Sequence, residues 1–258
     1  MDLKIKNRLF IVTGATAGFG KAVTSALVNE KAKVIINGRD KEKLSNMEET
    51  FHGHVEGVFG DISSSRTIKA VLDKIRNRKL DGIFVNAGGP PAKSFIETDL
   101  DDWDTAYKNL LRWKVEIIKA LLPTFINQNY GRILFLESCS VKQPVENLVL
   151  SNSIRLAVIG FAKTLSLEVA KKGITVNTLA PGYHKTSALE RLFVKKSQVN
   201  NISYEEAEKQ FEKEPPVGKI GDPDDLASLA LWFLSPLNEY ITGQTISVDG
   251  GLIKSTMG

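Results

Sequence analysis

Thr13-Gly14-Ala15-Thr16-Ala17-Gly18-Phe19-Gly20 lies between an apolar run at residues 8–13 and an amphipathic run at 19–29. The first run has the length of a strand and the second that of a helix, so the octapeptide is a strand–turn–helix junction. Glycines let the turn's backbone approach a ligand closely. The helix that follows offers unpaired N–H groups and the positive end of its dipole, which together suit a pyrophosphate. The same alternation continues along the chain. Strand-length runs fall at 33–37, 55–59, 82–86, 132–137, 175–179 and 246–248, and helix-length runs at 41–50, 64–76, 100–128 and 150–171. Short apolar strands separated by helices predict an α/β fold: a single-domain, doubly wound parallel sheet of Rossmann type with helices on both faces.

The chain has 258 residues, which suits one domain spanning 1–258. Its hydrophobic fraction of 42% supplies a substantial core and excludes a disordered chain. Net charge is +4, but lysines alternate with acids, as in Lys41-Glu42-Lys43 and Glu212-Lys213-Glu214. That pattern describes solvated helix faces rather than a nucleic-acid stripe. The single cysteine, Cys139, excludes an internal disulfide and fits a cytoplasmic setting, and no leader-like segment opens the chain. The longest uncharged apolar stretch, 226–238, is too short to span a bilayer. His52 and His54 lack further ligand-type neighbours, so no metal site is expected. The one irregular segment, 183–214, is polar and helix-prone and ends at Pro215-Pro216. A substrate lid is expected there, because clefts in such folds open at strand ends. A surface helix pair with no ligand is the alternative.

The second strand ends in Asn37-Gly38-Arg39. Folds that prefer NAD place an acid here for the ribose 2′-hydroxyl. Gly38 removes it, and the Arg39 guanidinium suits a 2′-phosphate. NADP(H) is therefore the expected cofactor, in preference to NAD(H).

The spacing Thr-Gly-x-x-x-Gly-x-Gly resembles that of the short-chain dehydrogenase/reductase family. Further motifs follow in the family's order: Asp61-Ile62, Asn86-Ala87-Gly88, Pro181-Gly182 with Thr186, Ile241-Thr242-Gly243-Gln244, and Val248-Asp249-Gly250-Gly251. The resemblance covers nearly the whole chain. It implies that Gly14, Thr16, Gly18, Phe19, Gly20, Asp61, Ile62, Asn86, Ala87, Gly88, Pro181, Gly182 and Thr186 line the cofactor. It also implies a homo-oligomer, a dimer or tetramer, built on the long helices 100–128 and 150–171. The stretch from Glu137 to Arg155 is similar to a divergent branch usually labelled 3-oxoacyl-carrier-protein reductase-like.

In the family, a serine at a strand end holds the substrate oxygen. A Tyr-x-x-x-Lys pair thirteen residues on provides the proton, and an asparagine on the long helix supports its path. Ser138 matches the first serine. Ser151 stands at the tyrosine position and Arg155 at the lysine position. The i, i+4 spacing keeps both on one helix face. Serine has no phenolate-like state, and arginine does not give up its proton. The asparagine's slot, counted from Trp103, holds Leu110, with Asn109 one residue early. None of the five tyrosines is followed by lysine four residues later, so the departure is not a shift of register.

Arg155 can still hold the nicotinamide ribose or a substrate carboxylate, or else pair with an acid on the helix surface. Ser151 can act on the substrate or cap the helix. Tyr183, Lys142 and His184 are the nearby substitutes for the missing acid, whereas Cys139 reads as a small buried apolar residue. Two functions are compatible with these residues. One is an NADP(H)-dependent oxidoreductase interconverting a small-molecule carbonyl and an alcohol with a non-standard proton source. The other is a cofactor-binding sensor or scaffold with little turnover.

Overall fold

The computed structural model describes residues 1–256. Seven parallel strands form one sheet: β1 (Leu9–Val12), β2 (Lys33–Gly38), β3 (Val55–Phe59), β4 (Gly82–Val85), β5 (Gly131–Leu136), β6 (Ile174–Pro181) and β7 (Thr245–Val248). Their order is β3-β2-β1-β4-β5-β6-β7. The order reverses between β1 and β4, and the carboxyl ends of strands flanking such a reversal form a ligand crevice.

Residues alternate along each strand between two apolar layers, which is why every residue of β1, β4, β5 and β6 is buried. One layer packs Phe10, Val12, Val34, Ile36 and Phe84 against α1 (Gly18–Asn29) and the helix at Pro223–Leu234. The other packs Ile11, Ile35, Ile83, Ile133 and Phe135 against α3 (Ser65–Ile75), α5 (Trp113–Asn127) and α6 (Val149–Val169). Helix α2 (Lys41–Thr50) follows β2 and starts at the side-chain cap of Asp40.

The expected long helix at 100–128 is built from α4 (Leu100–Tyr107), a π-helical turn at Lys108–Arg112, and α5. The segment 183–214 contains α7 (Ser187–Asn200) and α8 (Tyr204–Lys213), which share a small core of Leu189, Phe193, Ala207, Phe211 and Ile220. Helix α9 (Pro223–Leu234) corrects the sequence reading, which treated residues 226–238 only as an apolar stretch. Its start is encoded by the Asp222–Asp225 capping box and by proline in the first turn. Among the described residues, no helix is long and apolar enough to cross a membrane.

Candidate active site

The glycine turn sits at the switch point. Gly14 has φ +58°, and a Cβ there would lie 2.9 Å from the Asn86 carbonyl oxygen. Thr13 Oγ1 donates to the Asn86 carbonyl at 2.7 Å, and Asn86 Nδ2 donates to the Gly14 carbonyl at 3.1 Å. These bonds tie the ends of β1 and β4 together. A Cβ on Gly20 would overlap the Gly14 carbonyl, so only glycine lets α1 start this close to the strand. The N-cap of α1, Ala17, gives no side-chain bond, and no acid lies in its first turn. Its N–H groups are therefore available to an anion. Thr186 from the loop after β6 comes within 3.3 Å of a would-be Gly18 Cβ, so it flanks the same turn.

At the end of β2, Asn37 Nδ2 donates to the carbonyls of Val58 and Gly60, fixing the neighbouring strand end. Arg39 is 76% exposed at its side chain and lies 3.9 Å from Asp61 Oδ2. Ile62 is buried in the core, Ala87 packs on that core, and the space around Gly88 is open. Pro181 ends β6, and Gly182 N donates to the Val248 carbonyl at 2.9 Å. Most of the sequence-predicted cofactor residues thus lie along the carboxyl edge of the sheet and in the loops that follow it, with Gly18, Phe19 and Gly20 in the first turn of α1 and Arg155 on α6.

The second part of the site is built by β5, α5 and α6. Ser138 Oγ accepts the Ser140 N–H at 3.2 Å. Ser151 and Arg155 are buried on one face of α6, and Arg155 Nε donates to Ser151 Oγ at 3.1 Å. Arg155 Nη1 donates at 3.0 Å to Glu137 Oε2 and at 3.3 Å to the carbonyl of Glu137. Arg155 therefore joins Ser151 to the residue immediately before Ser138. It pairs with an acid, as one of the sequence alternatives allowed, but it does so buried rather than on the helix surface. Leu148, rather than Ser151, holds the N-cap position of α6, so the capping role weighed for Ser151 is not realised. The other terminal nitrogen of Arg155 faces Gly89, 3.3 Å from a would-be Cβ there.

Two residues of this cluster escaped the sequence reading. Lys114 donates its Nζ to Glu137 Oε1, and both side chains are buried. Burial pushes the Lys114 pKa down, against the pull of the Glu137 charge. The available signal was a lysine inside an apolar helix, together with an acid closing a wholly buried strand. Leu110, in the asparagine's slot, is buried in the core, and the Asn109 carbonyl accepts the Trp113 indole N–H.

The three substitute acids occupy other settings. Tyr183 donates its phenol to Glu214 Oε2 at 2.8 Å, and burial followed by the Glu214 interaction pushes its pKa up. His184 is buried, stacks edge-on against Phe19 with ring centres 5.0 Å apart, and has its pKa lowered by burial. Partial burial lowers the pKa of Lys142. Burial raises the Cys139 thiol to about 11, which leaves it protonated near neutral pH.

A doubly wound sheet, a glycine turn at its switch point, and Ser151 tied through Arg155 to the residue before Ser138 define the class, an oxidoreductase of the dinucleotide-fold type. A family model described as enoyl-(acyl carrier protein) reductase matches residues 14–253, and the chain belongs to this family of short-chain dehydrogenases/reductases. The chain is 29% identical to a protein named 3-oxoacyl-acyl-carrier-protein reductase FabG of Aquifex aeolicus, over 98% of this chain and 100% of that one. It is 28% identical to NADPH-dependent reductase BacG of Bacillus subtilis, over 97% and 100% of the two chains. The solved structure of an actinorhodin polyketide ketoreductase with NADPH superposes with a TM-score of 0.91 at 26% identity, covering 96% of this chain and 98% of that one.

Proposed function

We propose that this protein is an NADP(H)-dependent oxidoreductase that interconverts a carbonyl and an alcohol, with two serine hydroxyls holding the reacting oxygen. One observation carries the reading: Ser151 Oγ accepts the Arg155 Nε–H on one of its two lone pairs, so the hydroxyl is oriented by that bond and keeps its own O–H to donate. Ser138 Oγ likewise accepts the Ser140 N–H, which leaves its O–H for the substrate. NADPH named in two of the relatives, Arg39 at the end of β2 and the open N-terminus of α1 support the cofactor.

Bound at the switch point, a nicotinamide dinucleotide would supply the hydride. Gly14, Thr16, Gly18, Phe19 and Gly20 would hold its pyrophosphate half. Asp61, Ile62, Asn86, Ala87 and Gly88 would line the adenosine side, and Pro181, Gly182 and Thr186 the nicotinamide side. Arg155 would reach the nicotinamide ribose with the nitrogen that faces Gly89. Ser138 and Ser151 then stabilise the oxyanion through two hydrogen bonds, with the Arg155 cation behind them. The Arg155 guanidinium is held in its bonds to Ser151 and Glu137, and the Tyr183 phenol is committed to Glu214. The proton that completes the alcohol therefore comes from solvent water through the serine hydroxyls. The helices α7 and α8 act as the lid over this crevice.

The test is NADPH oxidation by purified protein across ketones, aldehydes and 3-oxoacyl thioesters. Turnover is expected on at least one class, with kcat falling about 10²- to 10³-fold in Ser138→Ala and the NADPH dissociation constant unchanged. Tight NADPH binding with no oxidation of any carbonyl would favour the sensor or scaffold instead.

A further inference from the structure

Three elements deliver one charge each to a single buried point. Lys114 comes from the first turn of α5 and is 1% exposed. Glu137 directly follows β5 with a fully buried side chain, and Arg155 arrives from α6. The carboxylate is shared: Oε1 accepts from Lys114 Nζ and Oε2 from Arg155 Nη1.

A buried carboxylate with one partner would keep an unpaired oxygen and a free torsion. Lys114 fills that second oxygen and so fixes the plane of the carboxylate. The plane of Glu137 in turn sets the fork of Arg155, because a guanidinium presents its donors in a rigid array. The same guanidinium places Nε on Ser151 Oγ and thereby directs the serine proton. On its own helix Arg155 bonds only to the neutral Ser151, so its orientation is imposed from Glu137 after β5 and, through it, from α5.

We propose that Lys114 is a positioning residue for Ser151, acting through Glu137 and Arg155. This rests on the reading of Ser151 as a donor to the reacting oxygen. Lys114 itself is sealed from the crevice and touches no substrate.

The test is a double-mutant cycle on kcat with Lys114→Met, Glu137→Gln and the combination. Lys114→Met leaves the Glu137–Arg155 pair charge-balanced, so the fold persists. It is expected to lower kcat about tenfold while NADPH affinity stays within twofold. In the Glu137→Gln background the same change is expected to cost nothing further, because the route is already cut. An equal cost in both backgrounds would make Lys114 a packing residue and overturn the proposal.

A second measurement needs no turnover and only the Lys114→Met variant. The Arg155 Nε–H resonance, assigned by its loss in Arg155→Lys, should be sharp and slow to exchange in deuterated wild-type protein. In Lys114→Met it should broaden or exchange at least tenfold faster. An unchanged resonance overturns the proposal. Should the wild type reduce no carbonyl, the functional reading fails, and the resonance alone decides whether Lys114 positions Arg155.

Discussion

A side chain on Gly38 would run into Thr16, because its Cβ would overlap Thr16 Cγ2. Thr16 belongs to the glycine turn, so β2 can end this close to the turn only without a side chain. An acid for a ribose 2′-hydroxyl has no room there, and the next residue outward is the exposed Arg39. Its nearest anion, Asp61, is 3.9 Å away and itself more than half exposed, a weak competitor for a phosphate. A charge-assisted bond to phosphate contributes about 1.5–3 kcal/mol, which is a factor of about 10–100 in affinity. Arg39→Ala is thus expected to weaken NADPH binding by that factor and to leave NADH binding unchanged. Gly38→Asp should weaken both cofactors through the displaced turn rather than convert the protein to NADH. Fluorescence titration of both dinucleotides measures this, and tighter NADH than NADPH binding by the wild type would refute the assignment.

Helices and strands were legible in the sequence because their periods were clean. The apolar runs of β1 to β6 and the glycine turn were enough to place the sheet and the crevice. The chemical half was legible only in part, for a reason that lies in one element. The turn at Lys108–Arg112 is π-helical, and each such bulge adds a residue. Everything after it rotates by about 100° relative to a 3.6-residue count. A regular helical count along 100–128 therefore does not show which residues of α5 face inward, Lys114 among them. Glu137 escapes for a different reason: it reads as the last residue of the strand run at 132–137, and spacing along the chain does not reveal its partners on α5 and α6. The segment 183–214 shows the converse case: its helix-prone character was expected, but the destination of Tyr183 was not. Its phenol is bonded to Glu214, which also pairs with Lys196 of α7 at 3.2 Å. Tyr183→Phe is accordingly expected to keep kcat within about threefold, since a single exposed pairing contributes about 1 kcal/mol or less. Steady-state rates decide it. A loss beyond a hundredfold would restore Tyr183 as the acid.

At the scale of the whole molecule, the sheet is covered on both faces, yet α6 still presents apolar surface outward. Leu156 is 53% exposed and Leu167 72%. Gly160 lies between them, with open space where its Cβ would be. Positions 156, 160 and 167 share one helix face by their spacing of four and seven. Isolated exposed leucines are ordinary on a monomer. An aligned stripe with a glycine at its centre instead suits a second copy of the same helix approaching about a two-fold axis, where one patch meets itself. The protein is therefore expected to be a homo-oligomer in solution, with a mass at least twice the 28.4 kDa of one chain. Leu156→Glu with Leu167→Glu should place like charges across that axis and shift the mass toward one subunit. Ser151 and Arg155 lie on α6 itself. The separated subunits should accordingly lose turnover along with mass, while NADPH binding at the glycine turn persists. Light scattering coupled to gel filtration tests the point, and a wild-type mass of one subunit at micromolar concentration would rule out this interface.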